Sequence, residues 1–225
     1  MAADRRPRVD ERAIGTADLA MRERMRDRVR LHLLRSAQAK RRIADAGVEA
    51  IVAAAQLVVD CLAGGGKIML CGNGGSAADC QHMAAELVSR LTADFQRPGL
   101  PAIALTTDSS LLTAHANDFG FEEVFERQVR ALGKPGDLLI GISTSGGSSN
   151  VIRAVHAARE LGLRTLVLTG LSGPLVAVAD IALTVPSRDT QIIQEAHLAI
   201  EHAVVDLVER ILFADDRDWV RADAA

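Results

Sequence analysis

The chain has no tyrosine, and one tryptophan and five phenylalanines are its whole aromatic complement across 225 residues. So few rings argue against the stacking surfaces of single-strand and RNA-binding modules, and no nucleic-acid partner is expected. Cysteine is scarce too: Cys61, Cys71 and Cys80 are odd in number and form no C-x-x-C pair. The simplest reading is buried, reduced thiols in a cytoplasmic protein. No apolar run reaches the roughly 18 residues a membrane span needs, so no membrane association is expected. The charged N-terminus lacks the apolar stretch of a secretory signal. Neither sign of charge dominates, the net charge being −3 with 48% apolar residues, which describes an ordinary soluble globular protein. The length suits one large domain, or a domain with helical extensions.

Residues 1–16, rich in Arg, Asp and Pro, read as a disordered tail. From Arg22 to Arg42 arginines recur, but Glu23, Asp27 and Asp45 break up the basic run and Leu31, Leu33 and Leu34 supply an apolar side. An amphipathic, solvated helix fits this better than a nucleic-acid arm. The segment Gly47–Ala63 is almost all Ala, Val, Ile and Leu, which predicts a helix buried against a sheet or another subunit. After Gly64-Gly-Gly66 come five short apolar runs, Lys67–Cys71, Pro101–Thr106, Asp137–Ser143, Thr165–Thr169 and Ile181–Val185. Helical stretches lie between them, over Ser76–Leu91, near Phe121–Leu132, over Asn150–Leu161 and near Leu175–Ala179, and a long helix closes the chain at Thr190–Phe213. Strands apolar on both faces that alternate with helices predict an α/β domain: a five-stranded parallel sheet sandwiched by helices, with an N-terminal helical arm. One domain is expected over residues 17–213, with a charged tail over 214–225.

The stretch Cys71-Gly-Asn-Gly-Gly-Ser76 joins a strand to a helix through a bare turn, a geometry suited to an anion or a sugar. Ser76 with Asp79 three residues on matches a capping box. Asp79, His82, Glu86 and Arg90 follow at spacings that keep them on one helical face. His82 and Glu86, at i and i+4, can reach one proton or one metal, or be a solvated polar stripe; their start at the glycine turn favours the first. The loop Ser143-Thr144-Ser145-Gly146-Gly147-Ser148 enters a helix after a buried strand. Its hydroxyls and backbone N–H groups suit a phosphate monoester, the plain alternative being a capped Ser/Thr turn. Gly72 to Ala77 also matches a loose dinucleotide pattern, but the acid required about 20 residues on is missing, and Gly64-Gly-Gly-Lys67 is followed by Ile68 where a phosphate loop needs Ser or Thr. Nucleotide binding is therefore not expected. The last helix holds Gln194, Glu195, His197, Glu201 and His202 among aliphatic residues. Spacing alone does not tell whether His202 meets Glu86.

Taken together, Cys71–Ser76, His82 with Ala85-Glu86-Leu87, Pro101-Ala-Ile-Ala104, Asn117-Asp118-Phe-Gly-Phe121, Gly141–Gly146, and Gln194-Glu195 with His202 resemble the sugar isomerase (SIS) domain family. Within it the chain is similar to the sedoheptulose 7-phosphate isomerases, from about Ala20 to Phe213. The resemblance implies a flavodoxin-like sheet and a homotetramer with active sites at subunit interfaces, where Glu86 and His202 would meet. It implies aldose–ketose isomerisation of a heptose 7-phosphate through a cis-enediol, with Glu86 as base and His202 as acid. Ser143, Thr144, Ser145 and Ser148 would cradle the phosphate. Asn73, Gly74, Gly75, Ser76, Arg90, Asn117, Asp118 and Gln194 would hold the sugar, and His82, Glu86, Gln194 and His202 would bind zinc. The alternatives are a non-catalytic relative that binds a replication initiator, which lacks this acid/base pair, and an isomerase of another phosphosugar. Ala77-Ala78 and Ser187-Arg-Asp-Thr190 depart from the better-known heptose isomerases, which bears on substrate preference.

Overall fold

The computed structural model describes residues 11–93 and 96–214, with side chains from Asp18 onward. Residues 1–10 of the expected N-terminal tail and 215–225 of the C-terminal one lie outside the described residues; from Glu11 the chain is already helical. Its contacts divide it into two units, an arm up to Gln38 and a body from Ala39.

The arm consists of most of α1 (Glu11–Ala46), and its apolar residues Leu19, Met25, Val29, Leu33 and Leu34 are all exposed. In the body, α2 (Val48–Ala63) precedes β1 (Ile68–Gly72), α3 (Gly75–Val88), β2 (Ala102–Ala104) and α4 (Ser109–Phe119). A short 3₁₀ turn, α5 (Val124–Leu132), β3 (Leu138–Ser143), α6 (Ser149–Glu160), β4 (Arg164–Thr169), α7 (Pro174–Val178), β5 (Ile181–Thr184) and α8 (Thr190–Phe213) follow. All neighbours in the sheet run parallel, in the order β2-β1-β3-β4-β5.

Every residue of β1 and β3 is buried, so their apolar runs serve two cores at once. Side chains alternate across the sheet at period two. Ile68 and Leu70 of β1 therefore pack with Val58 of α2, Met83 and Leu87 of α3, and Ile200 and Val204 of α8. Met69 and Cys71 pack on the other face with Phe125 and Val129 of α5 and Val151 and Val155 of α6. The body is a three-layer sandwich. The all-round apolar α2 buries Ala54, Ala55, Leu57, Val58, Val59 and Cys61 but leaves Val48 and Val52 exposed, so within one chain only one of its faces is covered.

The strand order reverses direction between β1 and β3, the point at which open parallel sheets take ligands beyond their carboxyl ends. There β1 delivers the glycine turn and β3 the serine loop, side by side because Gly72 registers with Ile142.

Candidate active site

The glycine turn leads into α3 through Gly74, whose φ of 57° and ψ of −121° belong to a region L residues rarely adopt. The predicted capping box does not form, for α3 has no side-chain cap. The Gly74 carbonyl accepts from Ala77 and Ala78 instead. Ser76 and Asp79 turn to α8: Ser76 Oγ donates to Gln194 Oε1 at 3.4 Å, and Gln194 Nε2 donates to Asp79 Oδ2. One amide offers both an acceptor and a donor, and so wins both side chains from the helix terminus. Gly75 allows the approach, since a Cβ there would stand 3.1 Å from Gln194 Oε1. Asn73 and Asn150 exchange two hydrogen bonds of 2.9 Å, tying the turn to the first residues of α6.

Farther along α3, Glu86 Oε1 lies 3.0 Å from His82 Nε2 and 3.3 Å from His202 Nε2 of α8. The two Nε2 atoms are 3.0 Å apart, so one imidazole donates and the other accepts. The three side chains meet within one chain; the expected meeting across a subunit interface is not required, because α8 packs directly on α3. His82 is exposed, whereas Glu86 is only 8% accessible and its Oε2 is buried without a hydrogen-bond partner among the described residues. Burial raises the Glu86 pKa, the two histidines pulling it back and Glu209 adding to the rise. Burial likewise pushes Asp79 up to about 6 and, helped by Asp79 and Glu86, Glu201 up to about 8.

Among the described residues, His82, Glu86 and His202 form a group able to hold a metal, their ligand atoms all within 4.8 Å of one another. Two imidazoles and a carboxylate, whose own Oε2 has no partner among the described residues, fit a divalent transition metal. Gln194, the fourth residue named for that role, has its amide engaged by Asp79 and Ser76.

In the serine loop, Ser143 Oγ lies 2.9 Å from Ser148 Oγ and 3.4 Å from Ser145 Oγ, and Gly147 N donates to Ser145 Oγ. Ser148 is the N-cap of α6 but caps no backbone N–H with its side chain. Asn150 Oδ1 accepts from Val151 N, and the hydroxyl cluster stands at the start of the helix, where backbone N–H groups favour an anion. Gly146, with φ of 65°, packs where a Cβ would lie 2.8 Å from Ser172 O, which pins the loop to the residues after β4. A cavity of about 230 Å³ opens beside it, lined among others by Thr144, Ser145, Ser172, Ser187 and Arg188.

Other expected residues stand elsewhere. Arg90 is not on the α3 face: the helix ends at Val88, because Leu91 N turns to Glu209 Oε1 and the guanidinium of Arg97 takes the carbonyls of Glu86 and Leu87. Asn117 and Asp118 lie exposed on α4, bonded to each other at 2.9 Å. Asp79 was expected to cap α3 and not to hold Gln194, while Glu201, Arg97 and Glu209 were given no role in advance. For the two glutamates the available signal was a charge recurring on the aliphatic side of α8; Arg97 carried none.

The SIS domain family pattern matches residues 34–170. A phosphoheptose isomerase of Roseiflexus sp. (strain RS-1) is 55% identical over 181 residues, 80% of this chain and 91% of that protein. The structure of phosphoheptose isomerase GmhA from Neisseria gonorrhoeae superposes with a TM-score of 0.77 at 47% identity, covering 82% of this chain and 98% of that one. A phosphoheptose isomerase structure from Francisella tularensis gives 0.78 at 41% identity, over 82% and 97% of the two chains.

Proposed function

The chain belongs to the phosphoheptose isomerase family of SIS-domain proteins, and on that premise we propose that it interconverts D-sedoheptulose 7-phosphate and D-glycero-D-manno-heptose 7-phosphate through a cis-enediol. The observation that carries the proposal is the contact of Glu86 Oε1 with His82 of the glycine-turn helix and with His202 of α8, at the sheet edge that also holds the serine loop.

The reaction needs a base that removes the proton from the carbon beside the carbonyl and returns it to the neighbouring carbon, and a second group that moves a proton between the two oxygens. Glu86 suits the first task. Its raised pKa brings it nearer neutrality, and with Oε1 turned to the imidazoles its Oε2 retains an unused lone pair. His202 suits the second, an imidazole whose ring nitrogens can give one proton and accept another. The hydroxyls of Ser143, Ser145 and Ser148, with Thr144 and the N-terminal amides of α6, hold the phosphate and set the sugar's register along the crevice. Gln194, Ser76 and the glycine-turn amides face the sugar chain; Asn73 acts by fixing the turn against Asn150. His82, Glu86 and His202 would hold a zinc ion. When bound, such an ion polarises a sugar oxygen. The exposed Met25, Val29 and Leu33, four residues apart along α1, supply an apolar stripe for a homotetramer.

The test is turnover of sedoheptulose 7-phosphate by the purified protein, first with zinc and then with chelator. An aldoheptose phosphate product is expected, and Glu86→Gln, which keeps shape and removes the base, should reduce kcat by about 10²–10⁴-fold. Turnover of another sugar phosphate alone would transfer the reading to that substrate; none at all would end it.

A further inference from the structure

Behind the reacting groups lies an ion pair that no part of the chemistry above uses. Arg97 follows the loop after α3, and Glu209 sits on α8; their side chains are both 0% exposed and meet at 2.7 Å. The guanidinium makes a fork of bonds. Nε donates to Glu209 Oε1 at 2.8 Å, one terminal nitrogen donates to Leu87 O at 2.8 Å, and the other to Glu86 O at 2.7 Å. Glu209 Oε1 also accepts from Leu91 N at 3.0 Å, just past the end of α3. The last carbonyls of a helix lack intrahelical partners, and a cation there is favoured by the helix dipole. Arg97 thus caps α3 at the very residue whose side chain is the proposed base.

On α8 the relation is equally direct. Glu209 is seven residues beyond His202, two turns along, so the two share a face. Holding Glu209 sets both the rotation and the axial position of His202 over α3. We propose that the Arg97–Glu209 pair is a positioning clasp, joining α3 to α8 so that Glu86 and His82 are held against His202. The proposal rests on the reading of Glu86 and His202 as the reacting pair. It gives a buried ion pair a reason to persist where an apolar pair of similar volume would hold the fold as well. Neither residue touches substrate; each acts through the helix it fixes.

Two variants test this. Glu209→Gln keeps the size and removes the charge. Arg97→Met with Glu209→Leu replaces the pair by apolar side chains, an exchange buried ion pairs often tolerate without loss of stability. Each is assayed at a temperature where circular dichroism shows it folded, and its zinc affinity is measured by competition with a chromophoric chelator, with zinc alone as the probe. The clasp predicts a kcat about 10–100-fold lower with KM within about threefold, since misplacement of reacting groups falls on the chemical step. It also predicts about tenfold weaker zinc binding, because the three ligands are divided between the two clasped helices. A double variant with unchanged kcat and unchanged zinc affinity overturns the proposal, and so does failure of both variants to fold, which would make the pair purely structural. If the wild-type protein turns over no heptose phosphate, the isomerase reading fails by itself, while the zinc affinities still decide the clasp.

Discussion

Replacing Glu201 by Gln should flatten the pH dependence of stability on the alkaline side. Glu201 is fully buried on α8, and neither carboxyl oxygen has a hydrogen-bond partner among the described residues. Burial, with Asp79 and Glu86 nearby, raises its pKa from the ordinary 4.5 to about 8. The folded protein therefore keeps a proton that the unfolded chain releases. Stability is full below pH 4.5, declines as pH rises, and is lost through the folded pKa near 8. Over the whole range the ceiling is about 5 kcal/mol, at 1.36 kcal/mol per pH unit. Asp79, raised to about 6, has lost most of its contribution by then, and buried His197, lowered to about 4, destabilises only as pH falls from 6.5 towards 4. Between pH 6.5 and 8.5 Glu201 accounts for about 2 kcal/mol, or roughly 4–8 °C in a body of this size. The assay is thermal unfolding of wild type and Glu201→Gln across that window with chelator present. Wild type should lose those degrees relative to the variant, and parallel curves would refute the assignment of a buried neutral carboxyl.

Ser145→Ala with Ser148→Ala should raise KM at least about tenfold with kcat little changed, because hydrogen bonds to a charged phosphate are worth about 1.5–3 kcal/mol each. Steady-state kinetics decide it, and an unchanged KM would move the phosphate elsewhere. Gly75→Ala places a Cβ 3.1 Å from Gln194 Oε1, tight enough to displace that amide. It should lower kcat about tenfold while the melting temperature stays nearly constant; wild-type kcat would show that Gln194 has no part in the reaction.

The sheet was legible because its evidence is local and redundant. Five apolar runs alternate with helices, and each strand lies within two residues of the predicted bounds at either end. Helix α8 coincides with its expected limits because Asp189 accepts from Gln191 N at its start, a cap written in the sequence. Helix α4 was missed for the complementary reason. It buries no residue and so carries little apolar periodicity. Arg90 was misplaced because the end of α3 depends on Arg97 and Glu209, partners that no window of α3 contains.

The residues by themselves determined a parallel α/β body, a glycine turn and a serine loop at strand ends, and the side chains able to do the chemistry, since these follow from period, turn chemistry and composition. Tertiary structure alone decided which of those side chains meet. Packing α8 on α3 buried Glu86, brought His202 to it within a single chain and drew Gln194 away to Ser76 and Asp79. Contacts between distant segments depend on how two helices rotate against each other. That angle is set by the core between them and by the Arg97–Glu209 pair, not by the periodicity of either helix.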